Sequence, residues 1–592
     1  MSRGKREEDV FSVRGLYSCH SVAFFLFICI GLCGAPVWSG PLDDALRLQE
    51  RALQDQERRL RELESEHREI LNSPPQGADR RLPEAEGDLP GAPCLETHSI
   101  SFAGATRLGT RELQALAAPY VGRCLGLKDV DNLLRAVTNA YIDRGYVTTR
   151  AMVSPRGHVQ GRLDILVVEG RVEAIESADR GTGALELKTA FPGVAGDVLN
   201  LRDIEQGLDQ MSRLPSNNAT LELVPGEAPG TTRIRICNQQ GRTWRASAGL
   251  DNSGQHATGR DQYSLNFSKD NLLGVNDLLT LSASGDTDGL RGHRQRSSSY
   301  YALYSVPYGW WTFTASLGFS DYASTVSGSG LEYSTDGDTT TAALDIDRVI
   351  HRDGVSKTAM GLSLSRRETS NFLEDQKLDV SSRTLSVLGV SLNHSRRLAG
   401  GVASGRLELS QGLPVLGARR DDSPEGDEPR GQFGKVSLSG AFLRPFSLGG
   451  ANLSWNTQVY GQWSPHTLPG EERIAIGSRS TVRGFHEDSL SGDIGAYIRN
   501  ELALNIFDAA GAPSVLSDWV ESVELYAGYD AGFIWRDDKE DEERGEVQGV
   551  TAGMRSTGGS LITDIAVSHA LDAPSFLERD NLEVYATFTY AF

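Results

Sequence analysis

The sequence predicts a membrane all-β protein: a 16-stranded transmembrane β-barrel over residues 241–592, preceded by an N-terminal helix and two small α/β domains. Three observations predict it. An N-terminal leader marks the chain for export. Roughly 350 C-terminal residues alternate apolar and polar, with no helix-length apolar run. The last strand, NLEVYATFTYAF, is aromatic and places Phe588, Tyr590 and Phe592 on one face, as an assembly signal for bacterial barrels would.

At 592 residues the chain is too long for one compact core. Its net charge of −20 and pI of about 5.1 leave no basic face, which excludes a nucleic-acid partner. The mean hydropathy of −0.32 ordinarily marks a soluble protein, but the N-terminus indicates export. Arg3, Lys5, Arg6 and Arg14 precede the apolar run from Val22 to Cys33, and small residues lead to Val37-Trp38-Ser39. This predicts a signal peptide over 1–39, cut near Ser39 or Gly40. An uncleaved anchor would need about 20 apolar residues rather than about 12. The bulky Leu32 argues against a lipid anchor at Cys33. Export removes Cys19, Cys29 and Cys33. Of the remaining Cys94, Cys124 and Cys237, the first two fall in one small domain and are the expected disulfide; three unpaired cysteines are the alternative.

Residues 40–72 follow as a helix. From Asp43 to Leu71 there is no Gly or Pro, and Leu46, Leu53 and Leu60 recur every seven residues beside Leu63 and Ile70. Such a helix would be roughly 43 Å long with a narrow apolar stripe; a solvated helix or short coiled coil fits the pattern equally. Residues 73–93 are a Pro/Gly/charge linker that cannot pack a core.

Residues 94–170 and 171–240 repeat one pattern, strand-helix-helix-strand-strand. In the first copy HSISFAG is followed by a helix near Leu113 to Tyr120. A second helix carries Val130, Leu133, Leu134, Val137 and Tyr141 and stops at Gly145, and strands begin at Tyr146 and Gly161. In the second copy VEAIES precedes helices near Leu185–Phe191 and Leu201–Leu214, then ATLELV and TTRIRIC. Such a sheet leaves an edge and a strand-helix groove to which an extended peptide can add. Rigid spacer domains are the alternative.

In the C-terminal region Trp311, Phe313, Ala315, Leu317 and Phe319 alternate with Thr312, Thr314, Ser316, Gly318 and Ser320. Ile494, Ala496, Ile498, Leu502, Leu504 and Ile506 oppose Tyr497, Arg499 and Glu501. Val523, Leu525, Ala527, Tyr529, Ala531, Phe533 and Trp535 oppose Glu524, Tyr526, Gly528, Asp530 and Gly532. A sandwich would turn the apolar side to a second sheet, whereas a barrel turns it to lipid and the polar side to water. Export, strands of ~10 residues with charges inside them, and the aromatic last strand together favour the barrel. About 22 residues per strand and loop gives about 16 strands, wide enough for a pore.

Four stretches carry a family resemblance: GRCLGLKDVDNLLRAVTNAYIDRGYVTTRA (Gly122 to Ala151), NLRDIEQGLDQMSRLPSNNATLELVPG (Asn200 to Gly226), GSRSTVRGF (Gly477 to Phe485) and GYDAG (Gly528 to Gly532). The first two are highly specific; VRGF alone would be weak. The chain resembles the TpsB transporters of two-partner secretion, within the superfamily that includes the barrel-assembly protein BamA. The resemblance implies that the two repeats are periplasmic POTRA domains, the leading helix a plug inside the barrel, and residues 465–493 a loop folded into the lumen. It also implies a secreted, unfolded TpsA-type exoprotein as partner, haemolysin or adhesin in type. The setting is the bacterial outer membrane with its lipid and lipopolysaccharide, reached by way of the barrel-assembly machinery.

The loop motif Val482-Arg483-Gly484-Phe485 offers a planar fork of five donors, which a carboxylate can accept two at a time. Asp530 faces the lumen by parity and occupies the position the family pairs with this arginine, so an Arg483–Asp530 salt bridge is expected to anchor the loop. An exposed loop charge at Arg483 is the bland alternative. Glu501, Glu524 and Asp564 also face inward and are secondary candidates.

No catalytic residue, cofactor or metal site is expected. The sequence has no Gly-x-Ser-x-Gly, His-Glu-x-x-His or Cys-x-x-Cys, and its 11 histidines show no ligand spacing. Asp488-Ser489-Leu490 lacks the glycine a lipase serine would need. The acidic tracts Asp421–Pro429 and Asp537–Glu546 read as solvated loops, with cation bridging to lipopolysaccharide a minor possibility. The competing function is an insertase for other barrels, disfavoured by two repeats rather than more and by the leading helix.

Overall fold

The computed structural model describes residues 81–83 and 94–592, apart from 180, 255–258, 288–295, 329–330, 380, 422–428, 486–488, 510–517, 536–543 and 578–581. The expected signal peptide (1–39), plug helix (40–72) and most of the linker (73–93) lie outside those residues.

The first α/β domain contains β1 (Leu95–Thr97), β2 (Ser99–Ala103), α1 (Thr110–Ala117), β3 (Arg123–Leu125), α2 (Leu127–Asp143), β4 (Arg150–Val159) and β5 (Arg162–Val168). Helix α2 starts where the Asp129 carboxylate accepts the Gly126 N–H, satisfying a donor the helix itself cannot. Val130, Leu133, Val137 and Tyr141 form its buried stripe against Leu163, Ile165 and Val167 of β5. Strand β5 pairs parallel with β2 and antiparallel with β4, so β2 and β4 are the sheet edges.

Two features differ from expectation. The strand expected from Tyr146 begins at Arg150, because residues 146–149 make a turn in which the Thr149 N–H reaches the Tyr146 carbonyl. The pair β1–β3, too short to show periodicity, adds a second small sheet. A Cys94–Cys124 disulfide ties it, with the Cα atoms 5.3 Å apart; Cys237 is a free thiol.

The second domain contains β6 (Arg171–Ser177), α3 (Ala184–Ala190), α4 (Leu201–Ser212), β7 (Ala219–Pro225) and β8 (Thr231–Asn238). Asn200 caps α4 by accepting the Arg202 N–H. Ile204, Leu208 and Met211 pack on Ile234 and Ile236 of the central strand β8. Outside the helices, Glu173 of β6 accepts hydrogen bonds from the Thr231 hydroxyl and the Arg233 guanidinium, which hold its carboxyl down at about 2.

The remaining chain is a closed antiparallel barrel of 16 spanning strands. Strands run from 8 residues (Trp244–Asp251) to 22 (Leu331–Arg352), beyond the ten or so expected. At about 3.4 Å per residue the longest exceeds the ~30 Å hydrocarbon layer, so its hairpin stands out into water. Outward residues such as Leu317 and Leu344 are 63% and 60% exposed, which in a membrane is lipid contact. Phe588, Tyr590 and Phe592 share that face, 47%, 39% and 54% exposed.

The ring closes where the last strand, Glu583–Ala591, meets the first over five residue pairs, Thr587–Ala591 against Asp251–Ser247. Beyond them the Asn252 side chain substitutes for a strand. Its Nδ2 donates to the Val584 carbonyl (2.7 Å), and its Oδ1 accepts the Ala586 N–H (2.8 Å).

Helix α4 lies across the barrel's near-side turns. The side-chain amides of Gln206 and Gln210 donate to the Gly309 carbonyl, and Arg213 reaches Ser305 Oγ and the Asn276 carbonyl, each at 2.8 Å. Arg352 pairs with Asp209 at 2.5 Å and with Glu205 at 3.4 Å. Burial acts to raise the Asp209 carboxyl, but Lys357 and Arg352 outweigh it and hold the group below the usual range.

Candidate functional site: an arginine loop folded into the lumen

The loop between the strands Ala451–Trp463 and Ile494–Asp508 turns inward. It is not a purely polar segment, as its composition suggests. A short hairpin, Ile474–Ile476 against Leu490–Gly492, together with Val482 and Phe485, packs on Tyr460, Tyr497, Ile534 and Val547 of the inner wall. All six of Ile474, Ala475, Ile476, Val482, Phe485 and Leu490 are at most 1% exposed, so the loop carries its own small core. The Tyr585 hydroxyl donates to the Phe485 carbonyl at 2.8 Å.

That core sets Arg483 against the strand Ser522–Trp535. Its Nε donates to Asp530 Oδ2 (2.6 Å) and its Nη2 to Oδ1 (2.9 Å), a parallel two-point contact; the Arg483 N–H adds a third bond to Oδ2 at 3.2 Å. Arg483 is 4% exposed and Asp530 not at all. Charges this deep are tolerated only when paired and hydrogen-bonded. The remaining fork nitrogen, Nη1, donates to Glu501 Oε2 at 3.1 Å.

Backbone space is as necessary as charge. Gly484 has φ +107°, a conformation L side chains rarely adopt, and its Cα faces the His569–Ala570 peptide. A Cβ on Gly549 would lie 1.8 Å from the Arg483 carbonyl oxygen, and one on Gly528 would lie 2.3 Å from Nη2. Gly549 sits directly across from Asp530 in the adjoining strand.

The secondary acids divide. Glu501 touches Arg483. Glu524 does not, and instead accepts from Arg555 Nε at 2.8 Å. Arg555 also donates to Glu501, so it links the two acids. Asp564 is in a separate contact, accepting from Tyr526 (2.7 Å) and Arg479 (3.3 Å). Sequence reasoning missed Arg555 and Arg479; Arg499, which alternation places inward, donates to the Ser480 carbonyl at 2.7 Å. Strand alternation alone would have placed Arg555 inward too. Among the described residues no group of three His, Cys, Asp or Glu is arranged to hold a metal ion. The arrangement can fix a loop; it presents no activated nucleophile.

A closed lipid-facing barrel, two α/β domains at one mouth and an arginine-bearing loop in the lumen define an outer-membrane barrel protein with periplasmic POTRA domains. POTRA-domain models match residues 95–170 (ShlB-type) and 171–225. The model of the haemolysin secretion/activation protein ShlB/FhaC/HecB family matches residues 230–556, and the chain belongs to that family. It is 35% identical to the outer membrane transporter CdiB of Escherichia coli over 510 residues, 86% of this chain and 84% of that one. It is 35% identical to the hemolysin transporter protein ShlB of Serratia marcescens over 412 residues, 70% and 72% of the two chains. The solved structure of Escherichia coli CdiB superposes with a TM-score of 0.84 at 33% identity, covering 94% of this chain and all of that one. The chain is an outer-membrane transporter of the two-partner secretion family and not an enzyme.

Proposed function

We propose that the transporter captures an unfolded partner exoprotein, haemolysin or adhesin in type, in the periplasm and passes it through the barrel to the cell surface or medium. Main-chain pairing at a POTRA sheet edge supplies affinity, and β2 and β4 each have one side without a strand partner. The plug helix expected at 40–72 leaves the lumen as the cargo enters, a shift in a pre-existing equilibrium. The loop held by Arg483 and Asp530 stays as a fixed wall of the conduit and anchors the process. Lipopolysaccharide around the barrel and the assembly machinery that inserts it complete the partners.

The observation that carries this reading is the buried two-point contact between Arg483 and Asp530, which holds the inward loop against the barrel's inner wall. The test is deletion of the gene with analysis of the culture medium and outer-membrane proteins. One large protein missing from the medium, restored by the wild-type gene but not by Arg483→Ala, is the expected result. Joint depletion of many outer-membrane proteins would replace transport with barrel insertion.

A further inference from the structure

Residues 81–83 lie along α2 in an arrangement that reads main chain. Asn139 contacts both polar groups of one residue: its Oδ1 accepts the Leu82 N–H (2.9 Å) and its Nδ2 donates to the Leu82 carbonyl (3.1 Å). Four residues earlier on the helix, Arg135 Nη1 donates to the Pro83 carbonyl at 2.8 Å, while its Nε is held by Asp131. Four residues later, Asp143 takes the Arg81 guanidinium in a two-point contact, 2.8 and 2.9 Å. Positions 135, 139 and 143 share one face of α2 because four residues make roughly one turn. The opposite face carries the domain's core, so the stripe is free to face a ligand.

Two properties make the stripe more than a crystal of local contacts. The Asn139 amide recognises a backbone N–H and C=O, which any non-proline residue in an extended segment supplies. The occupant is also weakly held: Arg81 is 65% and Asp143 43% exposed at the side chain, and exposed ion pairs contribute little. We infer that the Arg135–Asn139–Asp143 stripe is a binding site for an extended polypeptide segment with a basic residue ahead of a non-proline one, occupied in this structure by the chain's own residues 81–83 as an internal competitor. Resting on the transport reading above, the ligand is a segment of the unfolded cargo. Its entry displaces residues 81–83 from α2.

The test uses the purified full-length protein in detergent and a fluorescent peptide, DRRLPEAE, copied from residues 79–86. The variant Arg81→Ala weakens the competitor without touching the stripe. It should bind the peptide about threefold more tightly than wild type, because losing one exposed ion pair lowers the strap's hold on the site without abolishing it. Adding Asn139→Ala should abolish that binding, and Asp143→Asn should weaken it and remove its salt dependence. Circular dichroism and the heat-modifiability of the barrel confirm that each variant is folded. Equal peptide affinity in wild type and Arg81→Ala, or binding that survives Asn139→Ala, overturns the inference. Neither result depends on secretion, so the transport reading stands or falls separately.

Discussion

The Arg483 guanidinium meets the Asp530 carboxylate through two parallel hydrogen bonds, and both side chains are shut off from water. Removing one member of such a pair strands the other charge, at a cost of about 3–5 kcal/mol. Asp530→Asn preserves shape and leaves Arg483 short of charge. The variant should insert and run as a folded barrel, yet secretion should fall at least tenfold, and residues 465–493 should become cleavable by protease added to whole cells. Wild-type secretion by Asp530→Asn would remove the pair from the mechanism.

Gly549 tests the same anchor without altering a charge. A methyl group there would lie 1.8 Å from the Arg483 carbonyl oxygen, a backbone atom that cannot swing aside as a side chain does. Gly549→Ala should therefore reproduce the Asp530→Asn phenotype. Gly553→Ala in the same strand would meet the Tyr526 ring and should disturb the Tyr526–Asp564 contact while leaving the Arg483 carbonyl in place, so its effect on secretion should be smaller. Secretion assays on the two variants side by side give the comparison.

The joint between the second POTRA domain and the barrel makes a separate prediction. Arg352→Ala takes the 2.5 Å partner from Asp209 while Glu205 keeps Arg202 at 2.7 Å, so it should weaken the joint by about 2 kcal/mol. Hydrogen exchange should accelerate in α4 and in the turn around Gly309, while the strand amides of the barrel stay protected.

Glu173 gives a pH signature in the periplasmic region. Its carboxyl is lowered from 4.5 to about 2 by Thr231 and Arg233, so the contact stabilises the fold above pH 4.5 and is lost as pH falls through about 2. Protection factors of the β6 and β8 amides, which remove the intrinsic pH dependence of exchange, should fall as pH drops between those values in the wild type. In Glu173→Gln that fall should be absent, with the amides already less protected at neutral pH.

Much of this structure was legible in the sequence because two-residue and 3.6-residue periods are local. Tyr526, Gly528 and Asp530 on one face, or Val130, Leu133, Val137 and Tyr141 on another, need only neighbouring residues to be read. The Arg483–Asp530 pair was reached by parity and by resemblance together; neither alone singled out Asp530. What stayed hidden depends on register between strands. Gly549 is important only because it stands opposite Asp530, and Arg555 only because it lies within reach of both Glu501 and Glu524. The polar pair Glu205-Gln206 carries no local sign of burial, yet both residues are 2% exposed, because the barrel turns that cover them come a hundred or more residues later. The apolar content of the inward loop was likewise masked by its glycine and serine.

The strand that completes the cylinder is the one farthest along the chain from its partner. Closing Thr587–Ala591 onto Ser247–Asp251 brings together segments separated by more than three hundred residues, rewarded among the described residues by five residue pairs, the Asn252 clip and a few contacts such as the Phe592 N–H on the Ala246 carbonyl. The entropy of that ring closure is offset last and least, so it is the step most in need of an outside template during biogenesis. A half-made wall with two raw edges is also the form in which this polypeptide is most exposed to pairing with the wrong neighbour.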